Sequence, residues 1–219
     1  MGEEPWRVNL SGAPSLDSLH NIKYWSKKTL ENKIKLSLDK KTLLVTLHPV
    51  TLEYKKTLLH VKELLSALDE LKMQVVFTLP NADTAGRIII NELENFVKKN
   101  FWATNVINFG QEGYFTMLKY ATAMVGNSSS GIIESASFKI PVLNIGNRQR
   151  GRVHASNVVH VEYDKKLIIK KIKEITSINF INSIKNVKNP YGDGYASEKI
   201  IDVLSKVKIN DDLKIKRFH

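Results

Sequence analysis

Short apolar runs alternate with longer segments of helical spacing through most of the chain. Residues 41–47 (KTLLVTL) are a nearly continuous apolar run of strand length. Such runs suit strands buried on both faces, as in a parallel sheet. The run ends in a turn, His48-Pro49-Val50-Thr51, with Thr51 a fair cap. A helix to about Leu71 follows, its stripe made of Leu58, Leu59, Leu64, Leu65 and Leu68. Residues 74–79 (QVVFTL) are a second buried strand, closed by Pro80-Asn81, and a helix runs from Thr84 to about Lys99. A third, weaker strand is expected at 105–109 (NVINF), with a helix at 112–121. Ala123, Met124 and Val125 then make an apolar run into a turn of Gly, Asn and Ser at 126–130. Residues 131–138 fit a helix, and 140–145 are apolar again. A strand at 157–161 (NVVHV), a helix at 165–176, a loop at 186–195 and a terminal helix from Ala196 to about Lys208 complete the pattern. Near the start, residues 6–10 (WRVNL) alternate as a short strand would. Gly12 and Pro14 then mark a turn, with Asp17 or Ser18 as a helix cap.

Alternating strand and helix predict an α/β fold with a parallel sheet. Ligands in such sheets bind at the carboxyl ends of the strands. That rule selects His48, residues 80–83, residues 109–111 and residues 126–130, all expected along one edge. The simplest division is a lead-in at 1–28, one α/β domain at 29–208 and a basic tail at 209–219.

Composition narrows the picture. The chain has 219 residues and no cysteine, which excludes disulfides, thiolate metal sites and cysteine nucleophiles. No apolar run approaches membrane-spanning length and no signal peptide is legible, so a cytoplasmic protein without membrane contact is expected. The formal charge is +11; residues 164–219 hold 13 Lys or Arg against 7 Asp or Glu, a net +6. A basic excess can mark a nucleic-acid surface. No aromatics interleave with these lysines as a stacking platform requires, so a solvated lysine-rich helix face is preferred and no nucleic acid is expected.

The candidate chemistry centres on residues 123–152, AMVGNSSSGIIESASFKIPVLNIGNRQRGR. A strand delivering hydroxyls and bare amides to a helix start can hold an anion. The plainer reading is an ordinary capped loop. The segment lacks the three spaced glycines of the dinucleotide fingerprint and the Gly-Lys-Ser/Thr of a P-loop. Glu134, about one turn into that helix, can accept from the two vicinal hydroxyls of a ribose, or simply stabilise the helix start. Arg148, Arg150 and Arg152 carry forks that match phosphate oxygens; Arg148 lies closest to the strand end, and Arg150 reads better as solvated. His48 can donate to a phosphate or act as a general acid, although a lone histidine is more often structural. Asn81 and Asp83 either cap the helix at Thr84 or face a ligand's sugar or base. No two histidines sit at i, i+3 or i+4 and no metal constellation is found; no cofactor is expected either.

The block GNSSSGIIESASFKIPVLNIGNRQRGR resembles the signature of the hydrolysing UDP-N-acetylglucosamine 2-epimerases of sialic- and legionaminic-acid pathways. GEEPWRVNLSGAPSLD is similar to their interdomain segment, TLHPVT to their His-Pro-Val-Thr, LPNADTAG to their Pro-Asn-x-Asp stretch and NPYGDGYASEKII to their C-terminal tail. The pieces keep the family's order over nearly the whole chain. The non-hydrolysing epimerases carry His-Arg-x-Glu-Asn at the position of His48, so HPVT and GNRQRGR resemble the hydrolysing branch.

The resemblance implies a Rossmann-like sheet with helices on both faces, the C-terminal half of a GT-B-type fold. It implies that Ser128 and Ser129 hold the diphosphate, Glu134 the ribose and Arg148 a phosphate. His48 assists UDP's departure, Asn81 and Asp83 lie at the substrate edge, and Phe109 with its neighbouring backbone flanks the uracil. Arg87 fills a basic position four residues after the Asp. The catalytic carboxylates belong to the family's N-terminal half, which these residues do not include. The chain therefore resembles the UDP-binding half of an enzyme converting a UDP-sugar and water into an N-acetylmannosamine-type sugar and UDP, and alone it is expected to be inactive. Its partners are then the UDP-sugar and the missing half, with a homo-oligomer left open. The final helix is expected to expose apolar surface or to pair with another molecule. The alternatives are the nucleotide domain of a GT-B glycosyltransferase or of a non-hydrolysing epimerase.

Overall fold

The computed structural model describes residues 2–80 and 84–215. They group into two compact units, Lys23–Asn189 and a second formed by Met1–Ile22 with Pro190–His219. The expected lead-in, domain and tail instead divide the residues by position along the chain.

In the larger unit strands and helices alternate. They are α1 (Lys27–Ile34), β1 (Thr42–Thr46), α2 (Thr57–Leu71), β2 (Gln74–Thr78), α3 (Thr84–Lys99), β3 (Ala103–Val106), α4 (Gly110–Tyr120), β4 (Ala123–Gly126), α5 (Ser130–Ile133), β5 (Val142–Ile145), β6 (Val158–Val161), α6 (Lys165–Ile175) and α7 (Ile178–Ser183). The strands pair in parallel in the order β3-β2-β1-β4-β5-β6. β2 and β3 build outward from one side of β1, and β4 to β6 from the other. The order therefore reverses between β1 and β4, and a ligand crevice in such a sheet forms outside the carboxyl ends at that reversal.

Every residue of β1 and β4 is buried, which explains their continuous apolar runs. Leu43, Val45, Val75, Phe77, Ala123 and Val125 share one face and pack with Val61, Leu64 and Leu68 of α2 and with Ile168 and Ile172 of α6. The alternate positions Leu44, Val76 and Met124 are buried on the opposite face.

Several local expectations are corrected. Residues 6–10 are not a strand: Pro5–Arg7 is a 3-10 turn. Pro5 takes its first position, and Arg7 pairs with Glu4 at 3.0 Å while lying 4.4 Å over the Trp6 ring. β3 starts two residues early, because its register is set by pairing Val75 with Ala103. Ile107 is consequently exposed, and Phe109 begins a helix rather than ending a strand. The helix expected from Thr51 divides into a 3-10 turn, Thr51–Lys56, and α2, with Glu53 non-helical. The helix expected at 131–138 is α5 followed by a second 3-10 turn, Ser135–Phe138, ended by Lys139 at φ 53°.

The smaller unit holds the Pro5–Arg7 turn, a 3-10 helix (Pro14–His20), α8 (Ala196–Lys206) and α9 (Asp211–Lys214). Asp17 does not cap a helix beside it in sequence. Its carboxylate accepts the N–H groups of Ala196 (2.8 Å) and Ser197 (2.7 Å), capping α8 instead. Ile201 and Leu204 of α8 are exposed. Among the described residues no helix is long and apolar enough to cross a membrane.

Candidate functional site

The reversal sets the end of β1 beside the end of β4, and one buried side chain ties them together. Asn127, directly after β4, is fully buried. Its Oδ1 accepts the His48 N–H at 2.7 Å and its Nδ2 donates to the His48 carbonyl at 2.8 Å. The amide thus pairs with the His48 backbone as a neighbouring strand residue would. The same Nδ2 lies 3.3 Å from the Tyr163 hydroxyl. Gly126 allows this approach: at φ +131°, an added Cβ would lie 1.9 Å from the Thr46 carbonyl oxygen.

The backbone carbonyl of Asn127 is a second anchor. Arg148 Nη1 donates to it at 3.0 Å and buried Gln149 Nε2 at 2.8 Å. The loop after β5 is thereby drawn across the end of β4. Asn147 adds a 2.7 Å bond to Glu53 Oε1, reaching the turn that follows β1. A cavity of about 530 Å³ opens here, lined by His48, Pro49, Thr51, Leu52, Asn147, Arg148 and Arg150 among others. Arg150 is exposed, as expected of a solvated side chain, at the rim of this cavity.

Burial, and then the nearby Arg152 guanidinium, lowers the Arg148 pKa from its ordinary value. Arginine still keeps its charge at physiological pH. Burial pushes the Tyr163 hydroxyl up to about 12, so it stays protonated. Tyr163 stacks on His60 with ring centroids 3.7 Å apart. One guanidinium N–H of Arg148 is engaged by a carbonyl, and the group carries five.

The structure gathers His48, Ser128, Ser129 and Arg148 around Asn127. Ser128 and Ser129 are half-buried, and Ser128 Oγ accepts the Ser130 N–H at 3.3 Å. Glu134 is half-buried just past α5. Because α5 is a single turn, the macrodipole expected of a longer helix is largely lost. Attraction for an anion falls instead to hydroxyls, backbone N–H groups and Arg148. Phe109 and Arg87 belong to the β2–β3 side of the same edge. The Phe109 ring is 5 % exposed at the start of α4, where Asn108 Oδ1 accepts the Gly110 N–H at 2.7 Å; Arg87 is exposed on α3. Asn81 and Asp83 lie outside the described residues.

Sequence reasoning missed Asn127, Gln149 and Tyr163, which organise the site. The available signal was position: an asparagine immediately after a strand-ending glycine, and a glutamine between two arginines.

A parallel six-stranded sheet with helices between its strands and a strand-order reversal defines a Rossmann-like α/β protein. The chain belongs to the UDP-N-acetylglucosamine 2-epimerase family, whose model matches residues 1–205. Among curated relatives, GDP/UDP-N,N'-diacetylbacillosamine 2-epimerase (hydrolyzing) of Campylobacter jejuni is 42% identical over 164 residues, 74% of this chain and 43% of that protein. UDP-N,N'-diacetylbacillosamine 2-epimerase (hydrolyzing) of Legionella pneumophila is 28% identical over 213 residues, 97% of this chain and 55% of that protein. The chain therefore spans about half the length of the curated relatives it matches. Among solved structures, Neisseria meningitidis UDP-GlcNAc 2-epimerase bound to UDP-GlcNAc aligns with TM-score 0.72 at 17% identity, over 90% of this chain and 55% of that one. The Methanocaldococcus jannaschii enzyme in complex with UDP-GlcNAc and UDP aligns with TM-score 0.69 at 18% identity, over 94% and 57%. These likenesses establish the fold as one Rossmann-like half of a GT-B-type architecture.

Proposed function

We propose that this chain is the UDP-binding half of a hydrolysing UDP-sugar 2-epimerase. The observation that carries the reading is the shared grip of Arg148 and Gln149 on the Asn127 carbonyl, which sets a guanidinium beside the Ser128–Ser129 turn. A diphosphate seated there takes hydrogen bonds from Ser128, Ser129 and Arg148, while Glu134 accepts from the ribose hydroxyls. In the full reaction a base removes the C2 proton, the C1–O bond breaks and its electron pair leaves with UDP. Water then adds across C1–C2 of the glycal, giving the free 2-epimeric sugar. Arg148 and the serines stabilise the negative charge that grows on the departing diphosphate. His48, held by its backbone on Asn127, stands at this leaving group. The carboxylates for the C2 proton come from the other half of the fold. The sugar favoured is a 2,4-diacetamido-trideoxy hexose, since the Campylobacter and Legionella relatives are both named for diacetylbacillosamine.

Calorimetric titration with UDP tests the site. Wild type should bind weakly, with Glu134→Ala and Arg148→Ala each weaker by roughly tenfold, the scale of one charge-assisted hydrogen bond. Equal affinity in all three would sink the assignment. Supplying the missing half in trans should restore release of UDP from UDP-diacetamido sugar, whereas the 219-residue chain alone should release none.

A further inference from the structure

The loop that carries Arg148 is fastened at both stems by a chain of side-chain hydrogen bonds. Asn144, in β5, donates Nδ2–H to the Gly146 carbonyl (3.3 Å) and to His160 Nδ1 in β6 (3.1 Å). His160 Nε2 lies 3.1 Å from His154 Nε2, just beyond the loop. His154 Nδ1 lies 3.1 Å from the Ala155 carbonyl.

The polarity of this chain is determined throughout. A carbonyl only accepts, so His154 Nδ1 carries a proton; an amide nitrogen only donates, so His160 Nδ1 carries none. His160 Nε2 then holds the proton of its ring and donates to the bare His154 Nε2. Both rings are neutral. Charging His160 places a proton on Nδ1, the nitrogen that must accept from Asn144.

We infer that Asn144, His160 and His154 form a clasp that positions Arg148 for the diphosphate, and that protonation opens the clasp. The inference rests on the reading of Arg148 as a diphosphate ligand. None of the three is a catalytic residue; they act through the loop between them, residues 146–153. Val159 and Val161 pack against the core under α6, so His160 points to the opposite face of the sheet. There it shares a cavity of about 570 Å³ with His154, Arg150, Arg152 and Glu162. The two arginines oppose a further positive charge, Glu162 favours one, and β5 contributes uncharged Asn144. Burial, followed by His154, lowers the His160 pKa from its ordinary value. The clasp is therefore closed at neutral pH and opens in acid.

The test uses the 219-residue chain, with His160→Ala and the exposed-loop variant His154→Gln, near pH 7.5 and near pH 5.5. Two quantities are read: amide exchange protection of residues 146–153 and UDP affinity. Near pH 7.5 each variant should lose roughly fivefold in both, the scale of one hydrogen bond. Near pH 5.5 wild type should fall to the level of the variants, so that the wild-type-to-variant ratio approaches one. The UDP phosphates are common to all three measurements and cancel from that ratio. A merely structural effect would leave the ratio the same at both pH values, and that result overturns the proposal. So does unchanged protection in both variants, or unchanged affinity once protection is lost. If His160→Ala does not fold, His154→Gln decides by the same ratios. If wild type binds no UDP, the diphosphate reading fails along with the positioning of Arg148. The exchange data then decide the clasp by themselves.

Discussion

Asn127→Ala removes the side chain that joins the two strand ends, and the cost can be built from its contacts. Three bonds disappear: two to the His48 backbone at 2.7 and 2.8 Å, and one to the Tyr163 hydroxyl at 3.3 Å. Each is worth about 1 kcal/mol net, and a buried group left without a partner costs about 1–3 kcal/mol. Asn127 is fully buried, but His48 is half-buried and water can reach part of what is left behind. The expected loss is then about 2–4 kcal/mol, read as a shift of the urea midpoint at unchanged m-value. UDP affinity should also fall roughly tenfold, because the carbonyl that Arg148 and Gln149 hold sits on the same residue and moves with it. Asn127→Asp is the discriminating control. It keeps an acceptor for the His48 N–H but turns an oxygen toward the His48 carbonyl. Protonating the new carboxyl restores the donor. A buried carboxyl has a raised folded pKa, so this variant should approach wild-type stability as pH falls toward about 4 and lose it as pH rises. A loss below about 0.5 kcal/mol for Asn127→Ala, with unchanged UDP binding, would refute the assignment of Asn127 as the organiser of the site.

Gly126→Ala should cost about 3 kcal/mol or more in thermal or urea unfolding, since a Cβ 1.9 Å from the Thr46 carbonyl forces β4 away from β1. Asp17→Ala should fray α8, seen as lost amide protection at Ala196 and Ser197. The Asp17 pKa is lowered, chiefly by its hydrogen bonds to Ser197. In wild type this capping is therefore present above the ordinary carboxyl range and is lost as pH falls through the lowered folded value, whereas the variant lacks that dependence. His60 has its pKa lowered by burial, against the pull of Glu53. The unfolded chain then binds more protons than the native one between the lowered value and about 6.5, so stability rises with pH across that window. His60→Phe, which keeps a ring against Tyr163, should flatten the rise in urea midpoints measured between pH 5 and 7.

The sheet was legible because its strands are buried on both faces. Continuous apolar runs at β1, β2 and β4 leave few alternatives to a parallel strand. Where the pattern was weaker, tertiary pairing decided: β3 took its register from Val75, and Phe109 left the strand for a helix start. His48, Ser128 and Arg148 were legible as candidates because they follow strands. Asn127 was not, because an asparagine in a Gly-Ser turn normally reads as a solvated loop residue. Its importance lies in a bond to His48, 79 residues away in sequence, which no local pattern encodes. The cap that Asp17 provides to α8 was hidden for the same reason, with donor and acceptor 179 positions apart.

On the proposed function, the short α5 changes what must stabilise the leaving group. A long helix would supply a dipole fixed by its own backbone, indifferent to neighbouring loops. One turn cannot, so on that reading the positive charge comes from Arg148 on a loop that begins after a different strand. That charge is only as well placed as the loop. The contacts fixing it come from three directions: the Asn127 carbonyl, which takes both Arg148 and the Gln149 amide, Asn147 on Glu53, and the Asn144–His160–His154 chain behind. Preorganised charge stabilises a transition state because it does not have to move as the bond breaks. A substitution that leaves Arg148 intact but loosens these contacts should therefore weaken diphosphate binding nearly as much as removing the arginine. This is the pattern that separates a positioned guanidinium from a merely basic loop.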